Sequence, residues 1–302
     1  MSSNVRIGTA GWSYSHWNGV VYPKTHGTGF HPLEFLSRHT DAVEINSSFY
    51  QPLKPEIVKL WAKKVERNPN FLFTAKLHRQ FTHQRIVNDT DVAEFKEGLY
   101  PLLRANKLGA LLLQFPWAYR FTEENRDFLI RLRRSFREFP LVAEMRHSSW
   151  LSEEAQGVFL DYKIGFCNID QPTYTSAMPP TAILTSGVGY VRLHGRNPNN
   201  SLGAFEPGAA RMRQHDYLYS EQELTEWSER IDRVSRFAER TFVVFNNDAA
   251  GKSFVNSLQM KELMGLRRTP APLELRRQFP VELEHMGPKR AQQSLFPVVE
   301  AA

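Results

Sequence analysis

The chain has 302 residues, of which 41% are hydrophobic and 12% aromatic, so it can bury one large α/β core or two smaller ones. Its net charge of +6 allows anionic partners but is too small to establish nucleic-acid binding. A single cysteine, Cys167, excludes a disulfide framework and a cysteine cluster for a metal, and the lack of a long apolar run predicts a cytoplasmic protein with no membrane partner.

Short apolar runs typical of strands alternate with amphipathic segments of helical length. The predicted strands span 5–9, 42–46, 71–76, 109–115, 140–146, 163–170, 189–194 and 241–246. The helical segments include 55–66, 91–106, 123–138 and 221–239. Because parallel neighbours need a crossover, this alternation predicts an α/β fold with a parallel sheet. Eight units favour a single closed (β/α)8 barrel over residues 1–266, with an open doubly wound sheet as the alternative.

Polar side chains interrupt the apolar runs near the C-terminal ends of the predicted strands, where a (β/α)8 barrel carries its ligand site. Strand alternation places the two members of several pairs on a common face. These pairs are Glu44 with Asn46, Glu144 with Arg146, and Arg192 with His194. The other predicted substrate-binding residues lie at strand ends or in the loops that follow, and they are Trp12, Tyr14, Tyr50, His83, Gln114, His147, Trp150, Arg196, Asn246, Asn247 and Asp248.

The catalytic candidates combine a carboxylate pair with an amine and an imidazole. We expect Glu44 and Glu144 to share acid–base work, Lys76 to lower the pKa of one carboxyl, and His194 to exchange protons near neutral pH. The alternative for Glu44 and Lys76 is a self-satisfied ion pair inside the barrel, with no catalytic role. No cofactor is predicted. A divalent metal is a further alternative, but the sequence has no HExxH-type motif and the nearby cations oppose it.

The surplus of cations predicts an anionic, phosphate-bearing substrate. Arg146, Arg192 and Arg196 can each hold a phosphate or carboxylate through two hydrogen bonds. The eighth predicted strand leads into NNDAAGKSF (246–254), whose glycine and amide groups are typical of an anion site at a helix N-terminus, although Asp248 could instead cap the helix. This segment is not a Walker loop, because position 246 is asparagine instead of glycine.

Several segments match, in order, the signature blocks of a known family. They are VEINSSFY (43–50), FTAKLHRQFTH (73–83), LLLQFP (111–116), VAEMRHSSW (142–150), YVRLHGR (190–196), DYLYSEQEL (216–224) and FNNDAAG (245–251). From about Ile7 to about Leu258 the chain therefore resembles the YecE-like domain-of-unknown-function family. The resemblance implies a (β/α)8 barrel, and it implies no particular reaction.

Residues 267–302 form a polar extension broken by prolines, which we expect to be either disordered or draped on the barrel. Within it, QQSLF (292–296) resembles the peptides with which bacterial DNA polymerases and repair proteins dock on the sliding clamp. Gln292 would anchor such a peptide by hydrogen bonds, while Leu295 and Phe296 would enter an apolar pocket. The alternative is that Leu295 and Phe296 fold back onto the protein's own surface.

The sequence leaves three functions open. The first is an enzyme that acts on nucleic acid or a nucleotide by phosphodiester-type acid–base chemistry, and that the tail recruits to replication or repair. The second is a barrel active on sugars or small metabolites, with Trp12, Tyr50 and Trp150 as stacking platforms. The third is an adaptor that binds its ligand without turning it over.

Overall fold

The computed structural model describes residues 4–197, 215–267 and 269–287. Eight parallel strands follow one another around a closed barrel, and the last strand pairs with the first. Their bounds are β1 Val5–Ala10, β2 Ala42–Ile45, β3 Leu72–Lys76, β4 Leu108–Gln114, β5 Leu141–Glu144, β6 Gly165–Asp170, β7 Val188–Leu193 and β8 Arg240–Phe245. Every predicted strand is present, and the closed barrel is confirmed. The doubly wound alternative is wrong, because such a sheet would have open edges.

The helices lie between the strands and after the last of them. They are α1 Pro32–Leu36, α2 Pro55–Lys64, α3 Arg79–Thr82, α4 Asp89–Arg104, α5 Glu123–Ser135, α6 Glu153–Asp161, α7 Glu221–Ser235, α8 Lys252–Leu263 and α9 Leu273–Gln278. Single 3-10 turns span Ser15–Trp17, Ser47–Phe49, Ser148–Leu151, Ala249–Gly251 and Glu284–Met286. Helix starts follow the sequence signals: Thr122, Ser152 and Ser220 each cap a helix by accepting a backbone N–H with the side chain. None of the described helices is long and apolar enough to cross a membrane.

The interior of the barrel is filled from its lower end by aromatic rings. The Phe242 ring of β8 reaches β4, where it occupies the space that a Cβ at Gly109 would need, only 2.1 Å away. Tyr190 of β7 lies next to it, with ring centroids 5.9 Å apart. These rings close the barrel below, so the polar residues at the upper strand ends form its mouth.

The described part of the C-terminal extension packs on the barrel. Leu275, Phe279 and Met286 are buried in the main hydrophobic cluster, and Thr269 donates to the backbone oxygen of Arg38. Of the two alternatives for the extension, residues 269–287 therefore adopt the draped one. Gln292, Leu295 and Phe296, with the whole QQSLF segment, lie outside the described residues.

Candidate functional site

The centre of the mouth is an ion-paired triad made of Glu44, Arg192 and Glu144. Arg192 Nη2 donates to Oε1 of Glu44 at 2.8 Å, and Nη1 donates to Oε2 of Glu144. None of the three side chains has any exposed surface. The structure thus brings together three predicted site residues from β7, β2 and β5. It corrects the expectation that Arg192 grips a phosphate, because this guanidinium is buried and already paired.

A second polar layer supports the triad from below. The Tyr190 hydroxyl donates to Oε2 of Glu44 at 2.9 Å and lies 2.8 Å from Oγ1 of Thr74. Both oxygens of Glu44 are therefore already hydrogen-bonded, one by Arg192 and the other by Tyr190. Neither Tyr190 nor Thr74 was among the residues predicted from the sequence. Strand alternation from Arg192 would have found Tyr190, because the two lie on the same face of β7.

Glu144 is held by two further groups besides Arg192 of the triad. Arg146 Nε donates to Oε1 at 3.0 Å, and His194 Nε2 lies 3.3 Å from the same oxygen. Burial would raise the pKa of Glu144, but Arg192, His194 and Arg146 together hold that pKa well below its ordinary range. Glu144 is therefore an ionised and firmly bound carboxylate, which makes it a weak general base.

His194 does not have the acid–base role predicted for it. Burial first, and then the neighbouring Arg192, lowers the pKa of this imidazole to about 3, although Glu144 opposes the shift. Its Nδ1 lies 3.0 Å from Nδ2 of Asn246, and its Nε2 faces Glu144. At neutral pH His194 is thus an uncharged ring fixed between Asn246 and Glu144, and it positions the carboxylate.

Lys76 ends β3 at the edge of the triad. Its Nζ lies 3.8 Å from Oε1 of Glu44 and 5.5 Å from the centroid of the Phe49 ring, and 12% of the side chain is exposed. Burial first, and then the charge of Arg192, lowers the pKa of Lys76 to about 7, while Glu44 and Glu144 oppose the shift. Lys76 is therefore a lysine that exchanges its proton near neutral pH.

Arg146 is the cation at the Glu144 end of the triad. Its side chain is 13% exposed, and in the described part of the chain it uses Nε alone for hydrogen bonding, to Glu144. Its Nη groups therefore remain available to an anion. Burial, followed by Arg146 and Lys76, lowers the pKa of nearby His83 to about 4, so His83 adds no charge at neutral pH.

Gln114 and an aromatic wall complete this side of the mouth. Oε1 of Gln114 accepts from Arg192 Nη1 at 3.2 Å, so Gln114 supports the triad. The Trp117 ring lies 5.4 Å from the ring of His147 and 6.2 Å from that of Tyr174, measured between centroids. Nδ1 of His147 accepts the backbone N–H of Ser149 at 3.1 Å, which fixes this ring at the start of a 3-10 turn. Trp117 and Tyr174 were not among the predicted residues.

Arg196 is tied to a separate cluster. Its Nε lies 3.1 and 3.0 Å from the two oxygens of Asp170, and its Nη1 donates to Glu223 at 2.9 Å. Glu223 also belongs to the capping box of α7 with Ser220. The predicted phosphate-binding role of Arg196 is therefore replaced by a structural one, because this guanidinium joins the end of β6 to the start of α7.

Two of the three predicted stacking platforms are buried. Trp150 has no exposed surface, stacks on Tyr119 at 5.4 Å between centroids, and donates its Nε1–H to the backbone oxygen of that tyrosine at 2.7 Å. Trp12 is 8% exposed and packs edge-on against Trp61 at 5.0 Å. Tyr50 alone is well exposed, at 43%. Sequence position placed all three in strand-end loops but did not fix the direction of their rings.

The end of β1 is bonded to the predicted residues Tyr14 and Asn46. The Tyr14 hydroxyl and the Asn46 side-chain amide both donate to the backbone oxygen of Ala10, the amide at 2.8 Å. A Cβ at Gly11, where φ is 99°, would lie 2.7 Å from the Tyr14 hydroxyl, so glycine is required there. Tyr14 and Asn46 therefore shape the loop beside the mouth.

The loop after β8 differs from the expected phosphate site. Asp248 does not cap the following turn with its side chain, and the N-cap of α8 is Gly251, which lies in the left-handed region with φ 82°. A Cβ at Gly251 would lie 2.7 Å from Val21, so apolar side chains pack against this junction. Asn247 is buried, and its amide donates to the backbone oxygen of Tyr217 at 2.8 Å. The loop thus fixes the position of the start of α8.

Two observations concern groups outside the triad. Cys167 is a free, buried thiol, and burial raises its pKa well above the ordinary value, as befits a core residue. Within residues 4–197, 215–267 and 269–287, no three His, Cys, Asp or Glu side chains are grouped as metal ligands would be.

Comparison with known proteins places this barrel among close relatives. The family model described as "Protein of unknown function DUF72" matches residues 6–280. The UPF0759 protein YunF of Bacillus subtilis is 30% identical over 281 residues, or 87% of this chain and 95% of that protein. The UPF0759 protein YecE of Escherichia coli K12 is 31% identical over 114 residues, or 37% of this chain and 38% of that protein. The YecE-like resemblance is thereby confirmed.

Solved structures of DUF72 family proteins also match this chain. A DUF72 family protein from Thermotoga maritima superposes with a TM-score of 0.74 at 31% identity, covering 86% of this chain and 99% of that one. A DUF72 family protein from Enterococcus faecalis gives a TM-score of 0.74 at 25% identity, covering 89% of this chain and 98% of that one. The matches span nearly the whole length of these relatives, so the barrel is a shared architecture.

Proposed function

This chain belongs to the DUF72 family, whose description names no activity, and we propose that it is an enzyme that binds a small anionic substrate, of the phosphate-bearing kind, at the barrel mouth and acts on it by proton transfer. One observation carries the proposal. A partly exposed lysine with a pKa of about 7 stands beside a buried triad whose one excess negative charge is balanced by Arg146. Groups whose pKa lies near the working pH are the best proton-transfer catalysts, and they cluster at functional sites.

The charge balance of the mouth favours an anion. The carboxylates of Glu44 and Glu144 are balanced by the guanidiniums of Arg192 and Arg146, and His194 is uncharged at neutral pH. The charge of the cluster therefore rises from zero to one positive unit when Lys76 takes a proton. A bound anion would stabilise that protonated form, so substrate binding and the state of Lys76 are linked.

The residues then divide into distinct roles. Lys76 exchanges the proton, and Arg146 holds the anionic group through its Nη atoms. Glu44 and Arg192 position Lys76. This assignment replaces the predicted one, in which Glu44 acts as base and His194 as acid. The sugar-active alternative has less support, since its platforms Trp12 and Trp150 are buried.

Binding of inorganic phosphate by the full chain tests the proposal. Removing a charge-assisted, two-point contact costs about 1.5–3 kcal/mol, so Arg146→Met is expected to weaken binding by roughly 10- to 100-fold. Arg236→Met is the matched control, because Arg236 is an exposed arginine at the C-cap of α7 and its loss changes the net charge equally. Equal weakening in both variants, or no binding by the wild type, would refute the anion site. A single-stranded oligonucleotide that competes with phosphate would favour the nucleic-acid class of substrate.

A partner is proposed from the tail sequence. QQSLF has the pattern of a clamp-docking peptide, so Gln292, Leu295 and Phe296 are expected to mediate capture of this protein by a purified bacterial sliding clamp. Replacing all three by alanine should abolish the capture. Retention of the triple variant on immobilised clamp would contradict the proposal.

A further inference from the structure

We infer that Lys76 forms a covalent iminium, a Schiff base, with a carbonyl group of the anionic substrate. This inference rests on the proposed function and narrows its substrate class to small anionic aldehydes, ketones or 2-oxo acids. The amine lies where a substrate can reach it. Nζ stands at the C-terminal end of β3, and the 12% exposure of its side chain lets a small molecule reach it from the mouth.

Among the described residues, no hydrogen-bond partner fixes the Lys76 amine. Nζ is 3.8 Å from Oε1 of Glu44, beyond hydrogen-bonding distance. The reason lies in the carboxylate, whose two oxygens already accept from Arg192 Nη2 at 2.8 Å and from the Tyr190 hydroxyl at 2.9 Å. Within the described residues, Glu44 is the only carboxylate in salt-bridge range of Nζ. The nitrogen lone pair can therefore point at an incoming carbonyl carbon.

The surroundings favour the uncharged amine that such an attack requires. Lys76 is faced by the cations Arg192 and Arg146 and by the carboxylates Glu44 and Glu144. The ring of Phe49 covers it on one side, at 5.5 Å. A lysine that is desolvated and placed next to another cation is the arrangement by which proteins activate an amine as a nucleophile.

The covalent step balances with water and a proton alone. Nζ of the neutral amine forms a bond to the carbonyl carbon, the carbonyl oxygen takes a proton from solvent, and the nitrogen releases one, which gives a carbinolamine. The hydroxyl then leaves as water after taking a second proton, and the nitrogen lone pair completes the C=N bond. The product is a positively charged iminium that replaces the ammonium beside Glu44. No oxidant or reductant is needed.

Because Arg146 can bind an acidic group, we expect the carbonyl compound to be an anion. It stands on the Glu144 side of the triad, whereas Lys76 stands on the Glu44 side. A substrate that spans the mouth would place its phosphate or carboxylate at Arg146 and its carbonyl carbon at Lys76. Either acidic group fits the guanidinium, so the probes must separate them.

Reductive trapping on the full chain tests the inference. The protein is incubated near pH 7 with cyanoborohydride and one of three probes, dihydroxyacetone phosphate, pyruvate or uncharged acetone. Peptide mass spectrometry then locates the secondary amine. We expect the adduct mainly on the peptide containing Lys76, at least about tenfold above any exposed lysine for an anionic probe. The stronger of the two anionic probes identifies the acidic group.

Matched variants distinguish a specific reaction at Lys76 from the general reactivity of exposed lysines. Lys76→Arg keeps the charge but removes the nucleophile, so it should lose the adduct, while Lys59→Arg on the exposed face of α2 should label like the wild type. Arg146→Met should reduce labelling by the anionic probes about tenfold more than it reduces labelling by acetone, and acetone serves to correct for any change in the amine itself. Labelling spread evenly over exposed lysines, or retained in a folded Lys76→Arg variant, would overturn the inference. Phosphate binding that still depends on Arg146 would then leave the proposed function standing.

Discussion

Replacing Lys76 by methionine should change how the stability of the barrel depends on pH. In the unfolded chain Lys76 keeps its proton up to a pH of about 10.4, whereas in the fold its pKa is about 7. Between these two values the unfolded state binds more protons, so the wild type gains stability as the pH rises. The cost of burying the ammonium is complete below about pH 7 and is gone above about pH 10.4. The difference in pKa corresponds to about 5 kcal/mol.

The measurement is urea unfolding of the wild type and Lys76→Met across this pH range. Titrations elsewhere in the chain cancel in the comparison, and only the contribution of Lys76 remains. Relative to the variant, the wild type should gain up to about 5 kcal/mol between about pH 7 and pH 10.4. Lys59→Met is the control, and its difference from the wild type should be flat, because that side chain is exposed. An equally flat difference for Lys76→Met would refute the idea that a buried, easily deprotonated lysine stands at the mouth.

Three further substitutions test the rest of the site. Arg192→Met leaves Glu44 and Glu144 without their shared cation and should destabilise the fold by about 3–5 kcal/mol in urea unfolding at neutral pH, with a smaller loss at about pH 4, where carboxylates take up protons. Tyr190→Phe removes one hydrogen bond to a carboxylate and should cost about 1.5–3 kcal/mol in the same assay, whereas a neutral result would show that water replaces the hydroxyl. Gly251→Val should lower the thermal midpoint by several degrees, because the position has φ 82° and a Cβ there meets a neighbour at 2.7 Å.

The fold was predictable because every strand carries its own apolar signal and parallel pairing leaves few arrangements for them. The site was predictable to the level of residue type and strand end. Its pairing was not, since Arg192 and Glu44 are 148 positions apart, and their contact depends on how far the strands are staggered around the barrel. The sequence therefore predicted that Lys76, Glu44, Glu144 and Arg192 lie at one mouth. It did not reveal which cation would pair with the two carboxylates.

The burial of Trp12 and Trp150 has a similar explanation. Both lie in the segment that follows a strand, where ligand-contacting residues often lie, but the direction of a ring in a loop is set by its tertiary partners. For Trp150 the partner is the backbone oxygen of Tyr119, which satisfies the indole N–H inside the core. Nothing in the local sequence around either tryptophan encodes that partner.

The triad itself explains why Lys76 differs from an ordinary buried ion pair. If Lys76 and Glu44 were alone in the barrel, the amine would take the carboxylate oxygens directly, and the pair would be a self-satisfied salt bridge. Arg192 prevents this in two ways, because it occupies Oε1 of Glu44 and adds a repelling charge next to Nζ. Tyr190 occupies the remaining oxygen. Lys76 thus lies near a carboxylate whose two oxygens are already occupied. Together with burial, Arg192, which was expected to hold the substrate, instead lowers the pKa of the lysine that reacts with it.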